Sequence, residues 1–350
     1  MKCSLSPISG VSEVDSMNPK NILQKPGNTP VADVSGMFGV ARLFMKDETK
    51  NPTHTFKDRL AFEMLQPVIE SLNKGEDAKK VTFGSISYGN TAFSMGYYCN
   101  QLNKMCGRTV VNAVAFVPPK LFNKKFGPNT EGSIVDAKTV LGKIAKTCEL
   151  VDIDLSAKVY REKDLEELAR KKGKVLDHFV DITEGLNRPA YVNIIIEAIA
   201  QLKSPPDFVI VPFGAGILCN EIIDYINDNN LKTKVIPVSS GNPNTIAIML
   251  YGPIWVDTKA LARDGKGWTK HDATDRKGRT RKPYLVYHVE DAELVKAMRV
   301  LNDNGITAEA SGASGFALLP RLKEIDATFD PRKSTVLVIN TGNGLLNFGE

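Results

Sequence analysis

In the stretch NPTHTFKDR (residues 51–59), Lys57 stands between Phe56 and an Asp-Arg pair, after a turn-forming Asn-Pro and before the apolar-periodic run LAFEMLQPVIESL. This setting places the lysine near a helix N-terminus, where the dipole disfavours a positive charge and makes an amine easier to deprotonate. An amine held in that way can form a Schiff base with a carbonyl compound, whereas a lone lysine elsewhere is a solvated charge. Pro67, inside the apolar-periodic run, is expected to kink or divide the helix.

Three further stretches combine glycine with polar side chains at the ends of apolar runs. PFGAGILCN (212–220) follows a buried-type strand and opens a helix. Gly214 and Gly216 there allow the backbone to approach an anion, and the helix N-terminus supplies N–H donors. Alone, a G-x-G is more often a tight strand-to-helix turn without a ligand. SISYGNTA (85–92) has the same setting, with Gly89 in the turn and Asn90 and Thr91 available as ligand contacts or as helix caps. INTGNGL (339–345) closes a third strand with Gly342 and Gly344 among polar side chains. Three such loops at strand ends form a stronger signal together than any one of them.

The elements that would carry these loops alternate. Short apolar runs, VTFGS, VNAVAFVP, DFVIVP, TKVIPVSS and STVLVINTG, are interleaved with helical patterns such as TAFSMGYYCNQL, AKTVLGKIAKTC and ILCNEIIDYIND. That order predicts an α/β fold of mainly parallel twisted sheets covered by helices on both faces, with ligands bound at the carboxyl ends of the strands. The length of 350 residues suits two lobes. KSPPD (203–207) separates the helix NIIIEAIAQL from DFVIV, and the charged helix YREKDLEELARKKG is a solvated face. No internal repeat or low-complexity segment is present.

Composition excludes several classes. No run reaches the roughly 18 apolar residues that a membrane span requires, and the first residues resemble neither a secretory signal nor an Arg-rich transit peptide, so a soluble cytoplasmic protein is expected. The 5 cysteines are scattered, without a C-x-x-C pair, and are expected to be reduced thiols. None of the 4 histidines pairs with another at metal-ligand spacing, so no metal is expected. The net charge is +5, with the basic residues concentrated in residues 259–284. Anion or nucleic-acid binding through that stretch is the rival reading of a different class. Its few aromatics, Trp268 and Tyr284, and the interrupting Asp264, Asp272 and Asp275 argue against it and in favour of a solvated insertion or a lid.

Taken in order, N-P-T-x-x-F-K-D-R, S-x-G-N-T, the G-x-G loop, E-x-S-G-A and T-G-N-G-L resemble the pyridoxal-phosphate enzymes of the tryptophan synthase β superfamily, fold type II, and among them the threonine synthases. The likeness extends from GNTPV (27–31) and LFMKDE (43–48) to TGNGL. It implies pyridoxal 5′-phosphate as cofactor, Lys57 as the Schiff-base lysine and proton shuttle, and Asn90 as a hydrogen-bond partner of the cofactor's 3-oxygen. Gly214, Ala215, Gly216, Ile217 and Leu218 would hold the phosphate, and Thr341 would face the pyridine nitrogen. Ser87 would receive the substrate carboxylate, with Tyr88 and Thr91 on the substrate side. Tyr88, His54 and Asn343 depart from the residues usual in the family.

The resemblance further implies a smaller mobile lobe over residues 46–179, with the lysine and the SYGNT loop. A larger lobe, residues 1–45 and 180–350, would hold the phosphate and TGNG loops, and the chain would form a homodimer. The expected activity is elimination or replacement on an amino acid, with O-phospho-L-homoserine and water giving L-threonine and phosphate. The alternatives are a serine or threonine ammonia-lyase and a cysteine synthase-like or diaminoacid-forming β-replacement enzyme.

Overall fold

The structure, a computed structural model, describes residues 23–76, 79–87, 89–119, 125–128, 134–155, 157–158, 160–182, 189–240, 242, 245–247, 250, 266–267, 279 and 284–343. Along the chain run β1 (Val31–Asp33), β2 (Arg42–Asp47), α1 (Lys57–Asn73), β3 (Val81–Ser85), α2 (Asn90–Cys106), β4 (Val111–Val117), β5 (Lys125–Pro128), β6 (Ile134–Asp136), α3 (Ala137–Ala145) and β7 (Glu149–Asp152). They are followed by α4 (Glu162–Lys171), β8 (His178–Asp181), α5 (Pro189–Leu202), β9 (Phe208–Pro212), α6 (Ile217–Asp228), β10 (Lys234–Ser239), β11 (Lys266–Gly267), β12 (Tyr284–Leu285) and β13 (Tyr287–His288). The last are α7 (Asp291–Asp303), α8 (Ala310–Leu318), α9 (Leu322–Ile325) and β14 (Thr335–Asn340). The chain divides into two compact units, one comprising Met1–Pro26, Lys57–Lys124 and Asp136–Asn187, the other Gly27–Phe56, Lys125–Val135 and Arg188–Glu350.

The first unit has a four-stranded sheet in the order β7-β4-β3-β8, parallel throughout. From β3 the chain winds outward through β4 to β7 and then crosses back to β8 on the other side. The winding therefore reverses at the carboxyl end of β3 beside β8, the position at which open sheets of this kind bind ligands. Val114, Phe116, Val151 and Phe179 on the strands pack against Leu165 and Ala169 of α4. Of the expected kink or division at Pro67, the division does not occur: α1 runs unbroken through it. Pro67 and Glu63, whose carbonyl loses its helical partner to the proline, both belong to exposed residues, so water can replace the missing donor.

The second unit has a six-stranded sheet in the order β1-β2-β14-β9-β10-β13, parallel except for the antiparallel β1. β9 and β14 are buried along their whole length, as central strands covered on both faces must be. The helix α8, ASGASGFAL, is also buried on nearly every side, and its small residues let it lie close on β14, β9 and β10.

The GNTPV and LFMKDE stretches of this unit form a buried polar network. Lys46 on β2 is 0% exposed and donates to the Thr29 carbonyl at 2.5 Å and to Glu197 of α5 at 2.7 Å. Glu48, also buried, accepts from the Thr29 hydroxyl at 2.6 Å and from Asn51 at 2.7 Å, and Asn51 in turn accepts from the Gly27 amide at 2.9 Å. Gln201 closes the network by donating to the Thr29 carbonyl and accepting from the Val31 amide. Lys46→Ala removes the charged donor that Glu197 and the Thr29 carbonyl share, and the expected loss is about 3–5 kcal/mol of stability. Urea denaturation of the full chain reads this as a lower midpoint with an unchanged slope.

Candidate active site

Because β9 and β14 are parallel neighbours, with Val338 opposite Ile210, the loops after Pro212 and Asn340 leave the sheet at the same edge. In the first loop Gly214 is half-buried, Ala215 exposed and Gly216 buried. Gly216 has φ +82° and is the N-cap of α6, so no side chain caps that helix there. Ile217 and Leu218 begin the first turn, and the Asn220 amide closes it on the Gly216 carbonyl at 2.9 Å. A Cβ on Gly216 would lie 3.0 Å from the Phe213 ring, so the left-handed turn depends on glycine for space as well as for φ. The result is a stretch of backbone turning into a helix N-terminus, with no charged side chain between residues 212 and 220, which suits a phosphate group.

The second loop is tied to the segment that precedes Lys57. Thr341, 4% exposed, accepts through its carbonyl from the Phe56 amide at 2.9 Å and from the Thr55 hydroxyl at 3.3 Å. Gly342 pairs with Thr55 in an antiparallel bridge, and the Asn343 amide donates to the His54 carbonyl at 3.0 Å. A Cβ on Gly342 would come within 2.8 Å of that carbonyl, so the approach requires glycine. His54 has φ +60°, and its Nδ1 lies 2.9 Å from the Thr49 carbonyl. Asn343 donates from Nδ2 to the Thr307 hydroxyl at 2.6 Å, and the carbonyl of Gly342 accepts from the Glu309 amide at 2.9 Å. The Phe56 ring packs on Tyr191 of α5 at 5.0 Å between centroids.

In the other unit, Lys57 is the first residue of α1 and is half-buried. Asp58 and Arg59 follow it and are buried at 0% and 6% exposure. Phe62 of the same helix meets Tyr98 of α2 edge to face at 6.0 Å. Burial, and after it the negative charge of Asp58, pushes the Tyr98 phenol above its ordinary range, and its hydroxyl donates to the Gln24 carbonyl at 3.0 Å. At the carboxyl end of β3, Ser87 is 3% exposed, and its hydroxyl oxygen accepts from the Gly89 amide at 3.3 Å and the Ala92 amide at 3.4 Å. Gly89 is the N-cap of α2, so Asn90 and Thr91 are its first helical residues, both half-buried, rather than its cap.

The sequence-derived residues therefore form two groups, each assembled within its own unit. Lys57, Ser87, Asn90 and Thr91 belong to one, and Gly214, Ala215, Gly216, Ile217, Leu218 and Thr341 to the other. Tyr88, Gly344 and Leu345 lie outside the described residues. Thr55 and Asn340 were not legible as site residues. Asn340 is 0% exposed and donates to the Thr307 carbonyl at 3.0 Å and to Asp47 at 3.4 Å, immediately before Thr341. Its position at the end of STVLVIN was the available signal.

A family model described as pyridoxal-phosphate dependent enzyme matches residues 22–342. Cysteine synthase B of Campylobacter jejuni is 24% identical over 62% of this chain, and the match spans 64% of that protein's own length. L-threonine dehydratase biosynthetic IlvA of Mycobacterium leprae is 23% identical over 91% of this chain and 68% of its own. Among solved structures, a hydrogen sulfide-producing enzyme of Fusobacterium nucleatum superposes with a TM-score of 0.61, covering 92% of this chain and 97% of that one at 20% identity. With this match running from the start of the described residues through the loop after β14, and a fold shared over nearly the whole length, the chain belongs to the pyridoxal-phosphate dependent enzymes of fold type II, the tryptophan synthase β-like superfamily.

Proposed function

We propose that this chain eliminates or replaces a group on the side chain of an α-amino acid, and that its substrate is O-phospho-L-homoserine, converted with water to L-threonine and phosphate. The observation that carries the reaction class is Thr341 at the carboxyl end of β14, a neutral hydroxyl residue held by its own carbonyl on the strand edge next to the G-A-G loop. A hydroxyl facing the cofactor's pyridine nitrogen does not keep that nitrogen protonated, which favours departure of a group beyond Cα.

Bound pyridoxal phosphate acidifies the Cα proton of an attached amino acid by delocalising the electron pair left behind. In this reading Lys57 carries the cofactor and takes the Cα proton. The backbone of Gly214, Ala215, Gly216, Ile217 and Leu218 holds the phosphate, and Asn90 donates to the 3-oxygen. Ser87 fits the substrate carboxylate for a reason of hydrogen-bond capacity. Its two acceptor positions are used by the Gly89 and Ala92 amides, which leaves its O–H to donate. Lys57 would give up that proton before taking one from Cβ, so that phosphate departs from Cγ; Cγ and Cα then regain protons and water adds at Cβ, which balances to L-threonine and phosphate. The threonine synthase-like motifs and the basic residues 259–284 support the phosphorylated substrate.

A second reading is favoured by the relatives. Both a threonine dehydratase and a cysteine synthase match this chain, and deamination of serine or threonine, or replacement at Cβ of a serine derivative, uses the same lysine, carboxylate site and phosphate loop.

The purified protein is expected to show a visible absorbance band that borohydride bleaches, with the label on the peptide containing Lys57. Lys57→Ala abolishes the reducible imine and turnover together, and retention of a reducible imine by that variant defeats the assignment. Turnover of O-phosphohomoserine, O-phosphoserine, O-acetylserine, serine and threonine separates the two substrate readings. Under the first, O-phosphohomoserine has the highest kcat/KM, inorganic phosphate competes with it, and efficiency falls with salt as screening shortens to about 8 Å at physiological ionic strength. Equal or better turnover of O-acetylserine or serine without inhibition by phosphate establishes the second.

A further inference from the structure

One polar group beside the G-A-G loop is not used by this reading. Asn220, in the first turns of α6, is 1% exposed. Its Oδ1 accepts from the Tyr284 hydroxyl at 2.6 Å, while its Nδ2 is buried and finds no acceptor among the described residues. That Nδ2 lies 3.5 Å from the position a Cβ on Gly216 would take, so the donor lies against the turn of the loop. A buried amide N–H without an acceptor costs stability unless a ligand completes it.

Tyr284 is itself held. Its ring meets Phe213, the residue before Gly214, edge to face at 6.2 Å. Upstream, Arg279 pairs with Asp228 at the far end of α6 at 2.6 Å. The end of the basic stretch is thus attached to α6 at both ends of the helix, and the phenol fixes which face of the Asn220 amide is turned to the loop.

We propose that Asn220 is a further phosphate-binding residue of this chain, donating from Nδ2 to the cofactor phosphate, and that Tyr284 is its positioning residue. The proposal rests on the assignment of the Gly214–Leu218 loop to that phosphate, and the test separates the two. The full chain, stripped of cofactor, is titrated with pyridoxal phosphate and with pyridoxal, which lacks the phosphate, following the visible band. Asn220→Ala is expected to weaken pyridoxal phosphate by about tenfold or more, the range of one hydrogen bond to a charged group, and to change pyridoxal by less than about twofold. Asn220→Asp, which turns a carboxylate toward the phosphate, weakens pyridoxal phosphate further. Tyr284→Phe shifts the same ratio in the same direction by less, and carries the test if the Asn220 variants do not fold. Equal weakening of both ligands by Asn220→Ala, or wild-type affinity for pyridoxal phosphate in Asn220→Asp, overturns the proposal while leaving the loop assignment intact. Ala215→Asp tests that assignment: if it keeps the wild-type preference for the phosphorylated ligand, the phosphate lies elsewhere and both readings fall.

Discussion

The antiparallel bridge between Thr55 and Gly342 is the constraint on which the larger sheet's site depends. It joins the chain just before Lys57 to the end of β14, a strand buried along its whole length. Its two hydrogen bonds are those from the Phe56 amide to the Thr341 carbonyl and from the Asn343 amide to the His54 carbonyl. Together they fix Thr341 and Phe56 in one register. They also explain the two residues with unusual demands. Gly342 has no room for a Cβ against the His54 carbonyl, and His54 adopts φ +60° with its ring against Thr49. A positive φ in a residue other than glycine persists only where the surroundings over-determine it, as here. His54 is therefore a hydrogen-bonded loop residue whose carbonyl is as important as its ring.

Much of the architecture was legible because parallel strands buried on both faces appear as uninterrupted apolar runs. DFVIVP, STVLVINTG and VNAVAFVP correspond to β9, β14 and β4, and ILCNEIIDYIND corresponds to α6 without a change of boundary. What was not legible has physical causes. α8 is built mainly of Ala, Ser and Gly and is buried on nearly every side, so no amphipathic stripe marks it. β7, β8 and β13 are four residues or fewer and carry charged or aromatic residues of edge type. The insertion of β14 between β2 and β9 is a matter of tertiary pairing that no local pattern encodes. Lys46 and Glu48 give an inverse case: charged residues that sequence statistics place on the surface are buried because each finds several partners. Pro67 is tolerated because it falls on the exposed side of α1.

The thiols have a structural part in the fold. Cys99, Cys148 and Cys219 are buried, and Cys106 is half-buried. Burial pushes the Cys148 thiol up to about 12, with a hydrogen bond from Thr147 pulling weakly the other way, and burial raises Cys99 well above its ordinary value. A thiol so far from its thiolate is a poor nucleophile. Cys148 instead donates to the Ala92 carbonyl at 2.9 Å, next to the helical turn whose amides Ser87 receives. In this unit the amine of Lys57, at the start of α1, is therefore the better candidate for covalent chemistry.

The electrostatics of the G-A-G loop give the proposed phosphate site its particular character. Residues 212–220 contain no lysine or arginine, so the loop itself can offer an anion only N–H dipoles. The end of a helix contributes the equivalent of about half a positive charge, while a phosphate monoester carries about −1.5 to −2 near neutral pH. Backbone donors alone therefore leave a substantial negative charge to be balanced inside a partly desolvated turn, where each additional fixed dipole counts for more than it does in water. Asn220 is the residue in this helix whose amide is both buried and unmatched, and Tyr284 holds it with a neutral hydroxyl rather than a charge. As proposed, this arrangement would bind a dianion through neutral donors, with no fixed cation supplied by residues 212–220. Such a cation would attract free inorganic phosphate just as it attracts a phosphorylated cofactor, and the burden of discrimination passes instead to the covalent bond that Lys57 is proposed to make.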